Sequence, residues 1–232
     1  MTKVVILCGG LGTRIGHETK YKPKPMIKIG KKPIIWHLMK IYQSYGYNDF
    51  ILSAGYKHKI IERYFRNSKE FNIKIVNTGL KTNTAGRILL LKKYIKEKYF
   101  FMTYGDGLSN VNINKLIKFH YKNKAKITLT AVRPKQRYGV LKLKNNFVKY
   151  FDNSNKKIDV FINGGFFVIS KDCLKKIKNS SIYWEKEPMS YFLKKRKLFA
   201  FKHHGFWKSL DTLKDKNEFQ EIINSKKIPW KI

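Results

Sequence analysis

Acidic residues are scarce. The 232-residue chain holds 15 Asp and Glu against 50 Lys and Arg, a formal charge of +35 at pH 7. That balance points to anionic partners: nucleic acid, an acidic surface, or small anionic substrates. The excess is mostly lysine and is spread along the whole chain. A dedicated nucleic-acid binder gathers it on one face or tail, so no nucleic-acid partner is expected. Cysteine is scarcer still. Cys8 and Cys173 are the two present, too few for a disulfide framework, and a reducing cytoplasmic setting is the simple reading. No metal-ligand spacing is visible: His203 and His204 are adjacent, with no Cys or His at chelating distance. Long apolar runs are missing too. Nothing approaches the ~20 residues of a membrane span, and the first apolar run is too short for a signal peptide. The expectation is therefore a soluble protein with no membrane partner. Internal repeats and low-complexity linkers are also absent, so residues 1–232 read as one domain, large enough to bury a core.

What the chain does have is Leu7-Cys8-Gly9-Gly10-Leu11-Gly12-Thr13-Arg14 directly after the apolar run Val4-Val5-Ile6-Leu7. The run reads as a buried strand. The glycines let the backbone turn tightly and approach a ligand. Successive N–H groups in such a turn form an anion-binding concavity, and Arg14 adds a permanent charge with several donors. Lys22-Pro23-Lys24-Pro25-Met26 then presents further cations on a chain stiffened by proline. The loop is neither the dinucleotide G-x-G-x-x-G fingerprint nor a Walker A loop. The ordinary alternative is a glycine-rich turn without function.

Further along, strands and helices alternate. Strands are expected at 49–53, 73–76 and 99–103, and helices at 33–42 and around 60–65, with Thr84-Ala85-Gly86-Arg87 leading into another that carries Leu90, Leu91 and Tyr94. This implies a mainly parallel sheet with right-handed crossovers. In such sheets ligands bind beyond the carboxyl ends of the strands, so the glycine loop and Tyr104-Gly105-Asp106-Gly107 open onto one crevice. Asp106 facing a phosphate cradle makes sense if Mg²⁺ bridges them, since Mg²⁺ is held by one or two carboxylates plus substrate phosphates. The plain alternative is a turn-capping aspartate. After residue 126, strands at 127–132, 137–141, 147–151 and 162–169 lack long intervening helices, so part of this half should be antiparallel. Helical stretches at 172–178 and 187–195, a strand at 198–201 and a last helix at 212–224 follow. Asp211 reads simply as the N-cap of that helix.

The loop and the Lys-Pro-Lys-Pro segment resemble the signature of the sugar-phosphate nucleotidyltransferases, and within them that of the glucose-1-phosphate cytidylyltransferases. The likeness runs end to end. It takes in Pro33-Ile34-Ile35-Trp36-His37, Gly55-Tyr56-Lys57, Thr84-Ala85-Gly86-Arg87, Thr103-Tyr104-Gly105-Asp106-Gly107 and Ile162-Asn163-Gly164-Gly165-Phe166-Phe167. It continues through Trp184-Glu185-Lys186-Glu187-Pro188, Gly205-Phe206-Trp207 and Asp211-Thr212-Leu213-Lys214-Asp215 to Pro229-Trp230-Lys231. The resemblance implies a Rossmann-like nucleotidyltransferase fold, α/β with a mostly parallel mixed sheet. Residues 1–125 would form its nucleotide-binding half and 126–232 its acceptor-binding half. It implies transfer of CMP from CTP to a phosphorylated acceptor, releasing pyrophosphate. Leu7, Gly9, Gly10, Gly12, Thr13 and Arg14 would hold the triphosphate, with Gly86 and Arg87 near the base. Arg14, Lys24 and Asp106 would be catalytic, Asp106 and Asp211 would hold Mg²⁺, and Gly139, Asn163, Gly164, Glu185 and Glu187 would meet the acceptor. A homo-oligomer is compatible with the likeness.

Two departures stand out. The chain is short between Phe65 and Ile73, where the cytidylyltransferases carry a longer segment. After Phe151 the family's Glu-Lys-Pro is replaced by Asp152-Asn153-Ser154-Asn155-Lys156. The second change favours an acceptor other than glucose 1-phosphate, and phosphorylated L-glutamine, an intermediate toward capsule phosphoramidate, is the specific expectation. Glu187 would then face its ammonium group, or else simply sit in the first turn of a helix, where an acid suits the dipole. The alternatives are a sugar-1-phosphate cytidylyl- or uridylyltransferase in which Lys156 or Lys157 replaces the missing lysine, and a basic nucleic-acid-binding protein on the same fold.

Overall fold

Val4–Leu7 forms an inner strand, β1, with all four residues buried. A strand covered on both faces is expected to be apolar throughout rather than alternating. The structure, a computed structural model, describes residues 2–135, 140–144, 146–152 and 160–231. The other strands of the main sheet are β2 (Asp49–Ala54), β3 (Asn72–Asn77), β4 (Tyr99–Tyr104), β5 (Ile127–Val132), β6 (Ile162–Ser170) and β7 (Leu198–His203). Their order is β7-β5-β6-β4-β1-β2-β3. β1 pairs in parallel with β2 and β4, β2 with β3, and β7 with β5. Only β6 runs against its neighbours, β4 and β5. The sheet is thus mixed and mostly parallel, with its antiparallel member in the second half. A separate antiparallel hairpin joins Val140–Lys144 to Phe147–Asp152.

Alternation of side chains along β1 divides the core. Val4 and Ile6 join one cluster, with Leu38 of helix α1 (Ile34–Gln43) and Ile61 of α2 (His58–Phe65). Val5 and Leu7 join the other, with Ala85 and Ile88 of α3 (Thr84–Leu90). The result is a helix–sheet–helix sandwich. Each buried Val, Leu, Ile or Phe side chain stabilises it by roughly 1.5–3 kcal/mol. α4 (Ile113–Lys122) sets Ile113, Leu116 and Ile117 into the first cluster. No helix was expected there. α5 (Glu187–Lys194) and α6 (Leu213–Asn224) match the last two helical stretches. Tyr94 falls in a 3₁₀ turn after α3 rather than within it, and Lys171–Lys176 is also 3₁₀.

Candidate active site

The carboxyl ends of β1, β2, β3 and β4 lie along one edge of the sheet and open on a cavity of about 670 Å³. The glycine loop forms one wall. Gly12 takes φ +67°, and a Cβ there would stand 2.8 Å from Lys24 Cβ, so only glycine permits both the turn and the approach of Lys24. Gly9 is backed by Arg87, whose guanidinium would be 2.0 Å from a Cβ. Arg87 is buried and donates to Gly9 O at 3.0 Å and Thr78 Oγ1 at 2.6 Å. It therefore ties the glycine loop to the end of β3. It lines the cavity, and these hydrogen bonds brace the fold. Gly86 does not line the cavity: a Cβ there would meet Ser180 backbone at 2.2 Å, so its role is close packing of two chain segments.

Beside the loop, four charged side chains converge. Lys24 sits in a 3₁₀ turn, Lys24–Met26, and is 6% exposed. Its Nζ lies 2.7 Å from Asp106 Oδ2 and 2.8 Å from Asp211 Oδ1. Arg14 Nη2 reaches Asp211 Oδ1 at 3.0 Å, with 74% of the arginine side chain exposed. An ion pair to so exposed an arginine is weak, so Arg14 is free to turn toward an anion in the cavity. Burial alone would raise the Asp211 carboxyl. The hydrogen bonds from Lys24 and Ser209, with the charges of Lys24 and Arg14, hold it below the ordinary carboxylate value instead.

The two aspartates are 105 residues apart in the sequence, and a small ladder brings them together. Gly107–Ser109 pairs antiparallel with Trp207–Ser209, with Gly107 opposite Ser209, and Leu210 N donates to Asp106 O at 2.8 Å. Asp106 thus precedes one strand of the ladder and Asp211 follows the other. Asp211 is not the N-cap of α6. That place belongs to Thr212, which forms a capping box with Asp215. The Asp211 carboxylate is left to point at Lys24, with Ser209 Oγ donating to it at 2.7 Å. Two carboxylates converging on one cation form a donor set that suits Mg²⁺, phosphate oxygens and water supplying the rest. No larger cluster of potential metal ligands occurs among the described residues.

The far wall comes from β6. Its register with β5 breaks between Asn163 and Phe167, and Gly165 in that bulge has φ +78°. A Cβ on Gly165 would be 2.6 Å from Tyr104 Cδ2. The bulge turns Asn163 and Gly164 to the cavity. Trp207 Nε1 donates to Gly164 O at 2.7 Å. Glu185 lies behind this wall and accepts from Thr84 Oγ1 at 2.8 Å and from the Tyr104 hydroxyl. Asn163 Nδ2 reaches the same hydroxyl at 3.5 Å. Glu187 is not brought to the cavity. It is exposed in the first turn of α5, where an acid suits the helix dipole, and it does not line the cavity. Gly139 lies outside the described residues. Leu80, Thr82 and Tyr183 also line the cavity and were not anticipated. Leu80 and Thr82 follow the end of β3, and position beyond a parallel strand was the available signal. Cys8 lines it too, but burial pushes its thiol up to about 12, so it is no nucleophile.

A glycine loop, two cations and a carboxylate pair thus share one cavity at the carboxyl ends of parallel strands. Residues 3–215 match the nucleotidyl transferase family, and the chain belongs to it. It is 39% identical to the glucose-1-phosphate cytidylyltransferase of Salmonella typhimurium, over 99% of this chain and 98% of that one. It is 28% identical to the mannose-1-phosphate guanyltransferase of Schizosaccharomyces pombe, over 92% of this chain and 62% of the relative. Among solved structures, HddC from Yersinia pseudotuberculosis complexed with GMP-PN superposes with a TM-score of 0.77 at 26% identity, over 96% of this chain and 100% of HddC. The Salmonella alignment spans 253 positions, more than this chain's 232 residues, so that relative carries length that is missing here. Among the described residues, no helix is long and apolar enough to cross a membrane.

Proposed function

We propose that this nucleotidyltransferase moves CMP from CTP to a sugar 1-phosphate, glucose 1-phosphate first among the candidates, and releases pyrophosphate. The observation that carries this reading is the 39% identity, nearly full length, to a glucose-1-phosphate cytidylyltransferase. In the reaction an acceptor phosphate oxygen attacks the α-phosphorus, and the bond to the β-phosphate oxygen breaks. The chain contributes position and charge. The N–H groups of the glycine loop face the triphosphate, while Arg14 and Lys24 offset charge that grows as pyrophosphate departs. Asp106 and Asp211 would hold Mg²⁺, which neutralises phosphate charge when bound. Asn163 and the Gly164 backbone lie where an acceptor would meet the wall opposite the loop.

The non-sugar acceptor expected from the segment after Phe151 gains no support from the relatives. Residues 153–159 of that segment lie outside the described residues. The test is pyrophosphate release with CTP, UTP, GTP and dTTP against glucose 1-phosphate, other sugar 1-phosphates and phosphorylated L-glutamine. Highest kcat/KM with CTP and a sugar 1-phosphate is expected. Turnover of phosphoglutamine with none of any sugar phosphate would overturn the acceptor. A preference for another triphosphate would overturn the base.

A further inference from the structure

Lys24 holds the same two carboxylates that the proposed reaction gives to a divalent cation. Its Nζ is within 2.8 Å of both Asp106 and Asp211. The chain pins the base of this side chain. Pro23 and Pro25 flank it, and its Cβ packs where Gly12 has no Cβ of its own. The arm beyond Cβ, ending in the ammonium, is the movable part. Mg²⁺ binds oxygen at about 2.0–2.1 Å, which leaves no room for an ammonium between the same two oxygens. One cation or the other can hold the pair.

We propose that Lys24 is an exchangeable internal cation. It neutralises Asp106 and Asp211 in the unliganded enzyme and opposes binding of free divalent metal. It leaves for the phosphates only when metal and nucleoside triphosphate arrive together. The energetic reason lies in the displaced ammonium. Metal entering alone would strand a nearly buried lysine without a counter-ion, and breaking such a pair is costly. A triphosphate in the cavity supplies the new partner, so one exchange seats the metal and frees the lysine for the phosphates. The order of addition follows: metal enters with the nucleotide. The inference rests on the assignment of metal to Asp106 and Asp211, but not on the choice of base or acceptor.

Mn²⁺ binding to the full chain, followed by electron paramagnetic resonance, tests this without turnover. Lys24→Met should bind Mn²⁺ at least about tenfold more tightly than wild type when no nucleotide is present. Mn²⁺ should also raise the melting temperature of Lys24→Met and leave that of wild type unmoved. A non-hydrolysable CTP analogue should bring wild type to the affinity of the variant. Equal or weaker Mn²⁺ binding by Lys24→Met would overturn the exchange. If Asp106→Asn loses analogue-dependent Mn²⁺ binding while Lys24→Met gains none, the metal assignment stands and the exchange is overturned. Should Lys24→Met not fold, the ¹⁵N-lysine spectrum of wild type decides. The Lys24 Nζ signal should hold its position in Mg²⁺ alone and move with Mg²⁺ plus analogue. Movement in Mg²⁺ alone would refute the proposal.

Discussion

Gly12 bears two constraints at once: a left-handed backbone at φ +67° and the Cβ of Lys24 at 2.8 Å from where its own would be. Gly12→Ala should therefore cost about 1–2 kcal/mol from the backbone alone. It should also push Lys24 off its carboxylates. Melting temperature and steady-state kinetics should fall together; an alanine variant with wild-type turnover would show that Lys24 has room to spare. Asp106 is a cleaner probe, because asparagine keeps its shape. Asp106→Asn should preserve the fold and cut kcat at least about a hundredfold, ~2.7 kcal/mol of barrier. Measuring kcat at saturating Mg²⁺ decides this, and a near-normal rate would remove Asp106 from the reaction. Arg87 belongs at this scale for a different reason. The resemblance put it near the base, and in the structure it lines the cavity while its guanidinium also donates to Gly9 and Thr78. A buried arginine behind a loop and one in front of it look alike in a sequence.

The element that fixes Asp211 is the start of α6. Thr212 Oγ1 accepts from Asp215 N at 3.2 Å, and Asp215 Oδ2 accepts from the backbone N–H of both Thr212 and Asp211. Thr212→Ala should cost about 1 kcal/mol of stability, and it should also loosen Asp211. A drop in kcat larger than the change in stability explains, restored by Thr212→Ser, is the expected result; a change in stability alone would make the box merely structural. The strand-end motifs were legible because a fully apolar run next to a glycine loop has few other readings. Asp106 and the β1 loop could be placed on one crevice because alternating strands and helices imply a parallel sheet, whose strand ends share one edge. The three-residue ladder that delivers Asp211 was not legible. Gly107–Ser109 and Trp207–Ser209 are too short to show periodicity, and nothing local to either names its partner. α4 was missed although Ile113, Leu116, Ile117 and His120 have helical spacing, because the fourth buried position is a residue type that usually reads as polar. The bulge at Gly164–Gly165 shows in the sequence only as a glycine pair. That it turns Asn163 into the cavity depends on its pairing with β5.

Across the whole molecule, pH acts on stability through its buried histidines. His120 is 1% exposed, between α4 and the sheet. Its Nδ1 meets Thr128 Oγ1 at 2.9 Å, and Nε2 has no hydrogen-bond partner among the described residues. The rings of Tyr99 and Tyr121 flank it. Burial, with Lys126 adding to it, pulls its pKa from 6.5 down to about 4. His37 is shifted the same way, chiefly by burial. Between those two values the unfolded chain takes up a proton at His120 that the folded chain refuses. Stability from this group is therefore complete above about pH 6.5 and is lost as pH falls toward 4, by about 3 kcal/mol over the window. The lowered carboxyls of Glu18 and Asp211 also lose stability on acidification, but below their ordinary values, so the upper part of the window belongs to the histidines. Urea unfolding from pH 7.5 to 4.5 at fixed ionic strength should show ΔG falling with decreasing pH from about 6.5. His120→Gln should flatten that slope, whatever it does to stability at pH 7.5. An unchanged slope in the variant would mean that His120 titrates normally and that its neighbours open to admit water.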